Sequence, residues 1–127
     1  MIGVLALAAA ACGGGDDGGG SDGGENGGPA PPTVGVSAAD GESLYDGTCV
    51  ACHASGGVGI DGLGKPLANS DFIRGVSDSD LVTLIKGGRD TSDPANTSGV
   101  AMPPKGGNPA LTDADLESIV AYLRTLN

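Results

Sequence analysis

Cys49, Cys52 and His53 stand together in the run Cys49-Val50-Ala51-Cys52-His53. Two thiols three positions apart, followed directly by an imidazole, match the C-x-x-C-H pattern through which c-type haem is attached covalently. On a tight turn, each sulfur reaches one of two vinyl groups on neighbouring edges of a single porphyrin, and the next side chain is placed to swing beneath the iron. Haem iron accepts a proximal His in this way, and the second axial ligand then decides what the cofactor does. C-x-x-C alone is also compatible with a thioredoxin-like redox pair or half of a zinc site. The first wants a βαβ context, which this Gly-rich, strand-poor chain does not offer. The second wants four ligands, and the motif supplies three crowded ones with no second C-x-x-C.

His53 is the only histidine, so two imidazoles from one molecule do not meet on one iron. Of the two methionines, Met1 falls in a leader-like run, which leaves Met102 as the thioether candidate for the second axial position. It lies in Ala101-Met102-Pro103-Pro104, where two prolines fix φ, withhold two amide donors and bias the residue before each towards extended backbone. Such a segment presents its side chain stiffly. A lone Met is otherwise a filler of apolar cores.

At 127 residues the chain has room for one ordinary domain. It has no Trp, and a core of Ala, Val, Leu and Ile would be thin for so small a fold. A buried porphyrin would supply the missing interior. Six basic residues against sixteen acidic ones leave a net charge of −10, which argues against nucleic-acid binding. A partner with a basic docking surface is favoured instead.

Residues 1–12 read as a leader. The apolar run from Met1 to Ala11 is too short to span a bilayer and resembles the h-region of a secretory signal. No Lys or Arg precedes it, which leaves an upstream start open. Cys12 follows small residues and opens a polar tract, an arrangement that resembles a bacterial lipoprotein signal. That resemblance implies a lipidated Cys12, a membrane tether and a location in, or facing, the periplasm. An ordinary cleaved leader or an unprocessed thiol are the alternatives. Residues 13–36 form a linker: from Gly13 to Gly28, ten of sixteen residues are glycine, too few apolar groups to offset the entropy of ordering. A tether of about 25 such residues spans roughly 25 to 30 Å.

The folded unit is expected over 37–127. Ser37-x-x-Asp40 opens a helix of about ten residues that carries Gly41, Leu44 and Tyr45 and delivers Cys49. Gly56, Gly57, Gly59, Gly62 and Gly64 make the next stretch a loop and allow backbone to pass close to a flat cofactor. A short helix follows a Ser70 cap and ends at Gly75. Ser77-x-x-Asp80 opens another, with Leu81, Leu84 and Ile85 on one face and Gly87-Gly88 closing it. The stretch 89–108 reads as irregular, and at that length it is too long to be an idle connection; holding Met102 against iron would give it a purpose. Thr112-x-x-Asp115 caps a last helix on which Leu116, Ile119, Val120 and Leu123 follow i, i+3, i+4, i+7. No alternating run supports a strand, so the fold class is all-α.

From about Ala38 to Asn127 the chain resembles a small monohaem class I cytochrome c. Gly41-x-x-x-Tyr45-x-x-x-Cys49 is similar to the family's first helix, in which a glycine permits close crossing by the last helix and an aromatic packs at the contact. The haem motif comes next. Gly64-Lys65-Pro66-Leu67 resembles the loop whose proline carbonyl accepts a hydrogen bond from Nδ1 of the ligand imidazole, a bond that fixes the tautomer and aims Nε2 at iron. Ile119-x-x-Tyr122-Leu123 resembles the last helix, and Met102 stands where the family's distal ligand does. The resemblance implies three main helices plus short helices and loops wrapped around one covalent haem c. It places Cys49, Cys52, His53, Pro66, Leu67 and Met102 against the cofactor, with His53 and Met102 on the metal. Arg74, Arg89 and Lys105 are candidates to neutralise the propionates, since the family's aromatic partners are missing here. The implied function is single-electron transfer to redox partner proteins, with no residue acting as acid, base or nucleophile. The alternatives are a haem-based sensor or enzyme whose distal site is open or labile, and a haem-free thiol or zinc module.

Overall fold

A computed structural model describes residues 35–127; the leader and all but the last two residues of the linker lie outside them. Five α-helices follow in order: α1 (Ala38–Thr48), α2 (Val50–His53), α3 (Asp71–Gly75), α4 (Asp78–Gly87) and α5 (Asp113–Thr125). Two 3₁₀ turns, Ser55–Gly57 and Pro104–Gly107, complete the set. The fold is all-α, and among the described residues extended pairing is limited to two isolated bridges, Ile60 with Gly64 and Arg89 with Met102.

The caps form as the sequence pattern predicts. Ser37, Ser70, Ser77 and Thr112 each turn a side-chain oxygen onto a backbone N–H three residues ahead. At α5 the box is reciprocal, because Asp115 also accepts from the Thr112 N–H at 2.7 Å. At α1 it is not. The Ser37 N–H donates instead to Oγ of Ser118 at 3.3 Å, so the start of the first helix is fastened to the middle of the last one. The helix expected to deliver Cys49 stops at Thr48 and restarts at once. Cys49 caps the end of α1 and the start of α2, and the His53 N–H donates to the Cys49 carbonyl at 3.0 Å, so the whole motif lies on one helical turn.

Helix α5 packs on α1, α3 and α4. Its buried face carries Leu116, Ile119, Val120 and Leu123, which meet Tyr45 of α1 and Leu81 and Ile85 of α4. The α1–α5 crossing is close because Gly41 lacks a side chain; a Cβ there would overlap the Ser118 carbonyl. One turn further on, the rings of Tyr45 and Tyr122 pack at 5.3 Å with a 54° tilt. At the far end the Arg124 guanidinium binds the carbonyls of Ile73 and Val76 and the carboxylate of Asp78, which ties α5 to the α3–α4 corner.

Two substitutions on one helix test the crossing. Gly41→Ala is expected to destabilise the fold by roughly 3 kcal/mol, as overpacking against rigid backbone does. Gly47→Ala, where nothing lies within 4 Å of the added carbon, is expected to stabilise by about 0.5 kcal/mol. Thermal unfolding of the two variants beside wild type checks the opposite signs; equal effects would contradict the backbone contact.

Candidate functional site

The core does not close on itself. Between the Cys49–His53 turn, the 64–67 segment and the 95–103 stretch lies a cavity of about 360 Å³, within the ~300–1,000 Å³ of ligand and cofactor sites. Ile73, Leu81, Leu84, Ile85, Ile119 and Leu123 give it an apolar wall. Cys49, Cys52, His53, Pro66, Leu67 and Met102 all line it, although they come from three separate parts of the chain.

The Cys49–His53 turn is held by backbone contacts. Tyr45 is fully buried, and its hydroxyl donates to the Ala54 carbonyl at 2.8 Å, directly after the motif. Ala54 sits at φ 59°, ψ 164°, a region that non-glycine residues occupy only when neighbours enforce it. Burial, followed by the neighbouring Cys49, pushes the Tyr45 phenol far above its ordinary pKa, so it remains a donor. The Gly59 N–H donates to the His53 carbonyl at 2.8 Å, and the Gly57 carbonyl accepts from Leu67 and Ala68. A Cβ on Gly64 would overlap the Cys52 carbonyl. Gly59 and Gly64 thus permit backbone to press on backbone beside the His53 turn.

His53 Nδ1 lies 2.8 Å from a carbonyl oxygen, but that oxygen belongs to Lys65. Assigning the acceptor to Pro66 on the family pattern is corrected by one residue. In an X-Pro step it is residue X that the ring holds extended, so Pro66 acts by fixing the Lys65 backbone. With Nδ1 donating, Nε2 carries the lone pair and is the nitrogen left for a metal. Cys49 and Cys52 are free, half-buried thiols. Burial, and then the charge of Cys52, raise the Cys49 thiol to about 11, the reverse of an activated redox thiolate. Among the described residues, no three His, Cys, Asp or Glu side chains converge as a metal site would require.

Met102 is seated by α4. Its backbone exchanges two hydrogen bonds with Arg89, N–H to carbonyl at 2.9 Å and carbonyl to N–H at 2.8 Å. Gly88 caps α4 at φ 72°, and a Cβ there would overlap the Met102 carbonyl and crowd Pro103 and Pro104. The same glycine ends the helix and lets the Met102 segment cross it. Of the three propionate candidates, only Arg89 lines the cavity. Its guanidinium stacks on Phe72 at 5.3 Å and reaches Asp93 at 3.5 Å. Arg74 pairs with Asp71 on the surface, and the Lys105 ammonium donates to the Leu111 carbonyl at 2.6 Å.

A family model described as cytochrome C oxidase, cbb3-type, subunit III, matches residues 36–123. The chain belongs to the cytochrome c family. It is 37% identical over 86 residues to cytochrome c-555 of Chlorobaculum thiosulfatiphilum, covering 68% of this chain and 92% of that one. Cytochrome c-555 of Prosthecochloris aestuarii is 37% identical over 87 residues, covering 67% and 83%. The Cbb3-type cytochrome c oxidase subunit CcoP of Azospirillum sp. (strain B510) is 30% identical over 96 residues; the match covers 74% of this chain and 32% of that subunit. No solved structure was found to match. The family implies haem c, and the site fits it: two free thiols and an imidazole with one committed nitrogen face an apolar cavity that also receives a thioether. Among the described residues, no helix is long and apolar enough to cross a membrane.

The Tyr45 hydroxyl bond had no sequence signal, because it joins positions nine apart on two different elements. Tyr45→Phe keeps the ring contact with Tyr122 and removes only the donor to Ala54. Denaturant unfolding of the haem-loaded variant is expected to show a loss of about 1 kcal/mol; an unchanged midpoint would contradict the clamp.

Proposed function

We propose that residues 37–127 carry single electrons by means of one haem c, attached through Cys49 and Cys52 and ligated axially by His53 and Met102. The observation that carries this reading is that the Cys49–His53 motif and Met102, some fifty residues apart in sequence, line one apolar-walled cavity. When bound, the haem supplies an iron that cycles between ferric and ferrous.

The chain's part is to hold and to exclude. The Lys65 carbonyl fixes the His53 ring by accepting from Nδ1, which directs Nε2. The Arg89–Met102 ladder and the Gly88 crossing fix the other ligand. Because both ligands hang on backbone-bonded segments, they move little when charge changes. A thioether partner to His favours the reduced state and so raises the potential. Among the described residues, no Asp or Glu lines the cavity.

The partners are redox proteins. Exposed Asp40, Glu42, Asp46, Asp113 and Glu117 on α1 and α5, within a net charge of −10, favour a basic docking surface. The relatives named as oxidase subunits support a respiratory setting. We assign 1–12 to an export leader and 13–36 to a tether, with lipid on Cys12 and the domain exported to the periplasm. Cys12→Ser is expected to release the protein from the membrane fraction; retention there would count against lipidation.

Reduced holoprotein exposed to carbon monoxide tests the coordination. Wild type is expected to resist binding, whereas Met102→Ala binds it and shows a lower potential in a redox titration. His53→Ala is expected to yield no stable holoprotein. Tight carbon monoxide binding by wild type would favour the ligand-sensing or enzymatic alternative, and an unchanged potential in Met102→Ala would mean that another group is the ligand.

A further inference from the structure

The stretch from Asp90 to Ala101 leaves α4 and returns to Met102 with no regular element of its own, so side chains must hold it. Asp90 and Asp93 each cap a local turn, onto Ser92 N–H at 2.9 Å and Ala95 N–H at 2.8 Å. Neither reaches across the excursion. Asn96 does. Its Nδ2 donates to the Asp90 carbonyl at 3.0 Å and to the Val100 carbonyl at 2.9 Å, joining the outgoing strand of the excursion to the returning one. Its Oδ1 accepts from the N–H and hydroxyl of Ser98, both at 3.2 Å, and from the Gly99 N–H at 3.0 Å. Both donors and the acceptor of the amide are therefore in use.

The geometry points to Asn96 as the positioning residue of Met102: its amide cross-links Asp90 to Val100 and thereby holds the segment that presents the thioether, two residues further on. The cross-link continues the ladder set by the Arg89–Met102 pair, so the excursion is closed at its base by backbone and across its middle by one side chain. The chemistry is specific to Asn. Asp has the same shape but cannot donate when ionised, so two carbonyls would face a carboxylate. Gln carries the same amide one methylene too far out. Asn96 also lines the cavity, and a loosened amide admits water and ligands on the side where Met102 sits. The role is one of occupancy. A segment that opens more often leaves the thioether position vacant more often, and a competing ligand then binds in proportion to that vacant fraction.

This inference rests on Met102 being the axial ligand, and the test separates the two. Imidazole is titrated optically into the ferric, haem-loaded full chain for wild type, Asn96→Asp, Met102→Ala and the double variant. Two lost hydrogen bonds predict about a tenfold rise in apparent imidazole affinity for Asn96→Asp. In the Met102→Ala background, where there is no thioether to displace, the same substitution changes affinity by less than about twofold, because the coupling is confined to the interacting pair. Equal effects in both backgrounds would show a merely structural role and overturn the inference. If Met102→Ala raises imidazole affinity but Asn96→Asp matches wild type, the inference alone fails. If Met102→Ala itself matches wild type, the ligand assignment fails and this inference falls with it. Should Asn96→Asp not assemble with haem, Asn96→Ala carries the same comparison: it removes both Nδ2 donors without placing a charge before the Asp90 and Val100 carbonyls, and it predicts a rise of about tenfold, with no rise overturning the inference.

Discussion

Helices α1 and α5 touch backbone to backbone at Gly41 and Ser118, and much of the site's geometry depends on that approach. It brings Tyr45 against Tyr122 and under the apolar face of α5, where the phenol is sealed from water. A buried hydroxyl must find an acceptor, since leaving one unpaired costs about 1–3 kcal/mol. The acceptor is the Ala54 carbonyl. One helix crossing thus reaches, through a single side chain, the backbone directly after His53 and holds a residue in a conformation it would not adopt alone. The C-x-x-C-H turn is anchored by the core rather than by its own sequence.

The two sides of the cavity are built on different principles. On the His53 side, glycines let peptide planes meet: Gly57, Gly59 and Gly64 bind or crowd the 52–54 and 66–68 backbone, and the Lys65 carbonyl is delivered to Nδ1 as part of that network. On the Met102 side, a two-bond ladder to Arg89 fixes the base of the excursion, and side-chain amide and hydroxyl groups organise the rest. Backbone contacts between glycines have no rotamers to lose and resist deformation. A stretch held by exposed side chains opens more readily. Under the proposed ligation, the asymmetry would give His53 the firmer hold and Met102 the more adjustable one.

The helices and the motif were legible in the sequence because both are local. Ser70, Ser77 and Thr112 announced three helix starts, the leucine period of α5 announced its buried face, and Gly87-Gly88 announced the end of α4. The joining of Cys49, Cys52, His53 and Met102 in one cavity followed from motif chemistry and from there being one His and one usable Met. What escaped was long-range and backbone-borne. Lys65 carries the acceptor because Pro66 shapes the residue before it, and the pattern G-K-P-L does not reveal which carbonyl turns inward. Ser118 was one more polar residue on a helix, yet it takes the Ser37 N–H that the first capping box leaves free. Gly88 read as a stop signal and is also a crossing point. Asn96 lay in a polar stretch where nothing in the order of residues distinguishes a hub from a solvated neighbour.

Everything attributed to this chain as a carrier requires that its two motif thiols be spent on thioether bonds. Intact-mass measurement on protein exported together with a haem-ligation system, after acid and acetone extraction, reads this directly. The account predicts a mass greater than that of the processed polypeptide by one haem, with the increment lost in a Cys49→Ala, Cys52→Ala double variant. A polypeptide mass with no increment, the haem having stayed in the acetone, would contradict it.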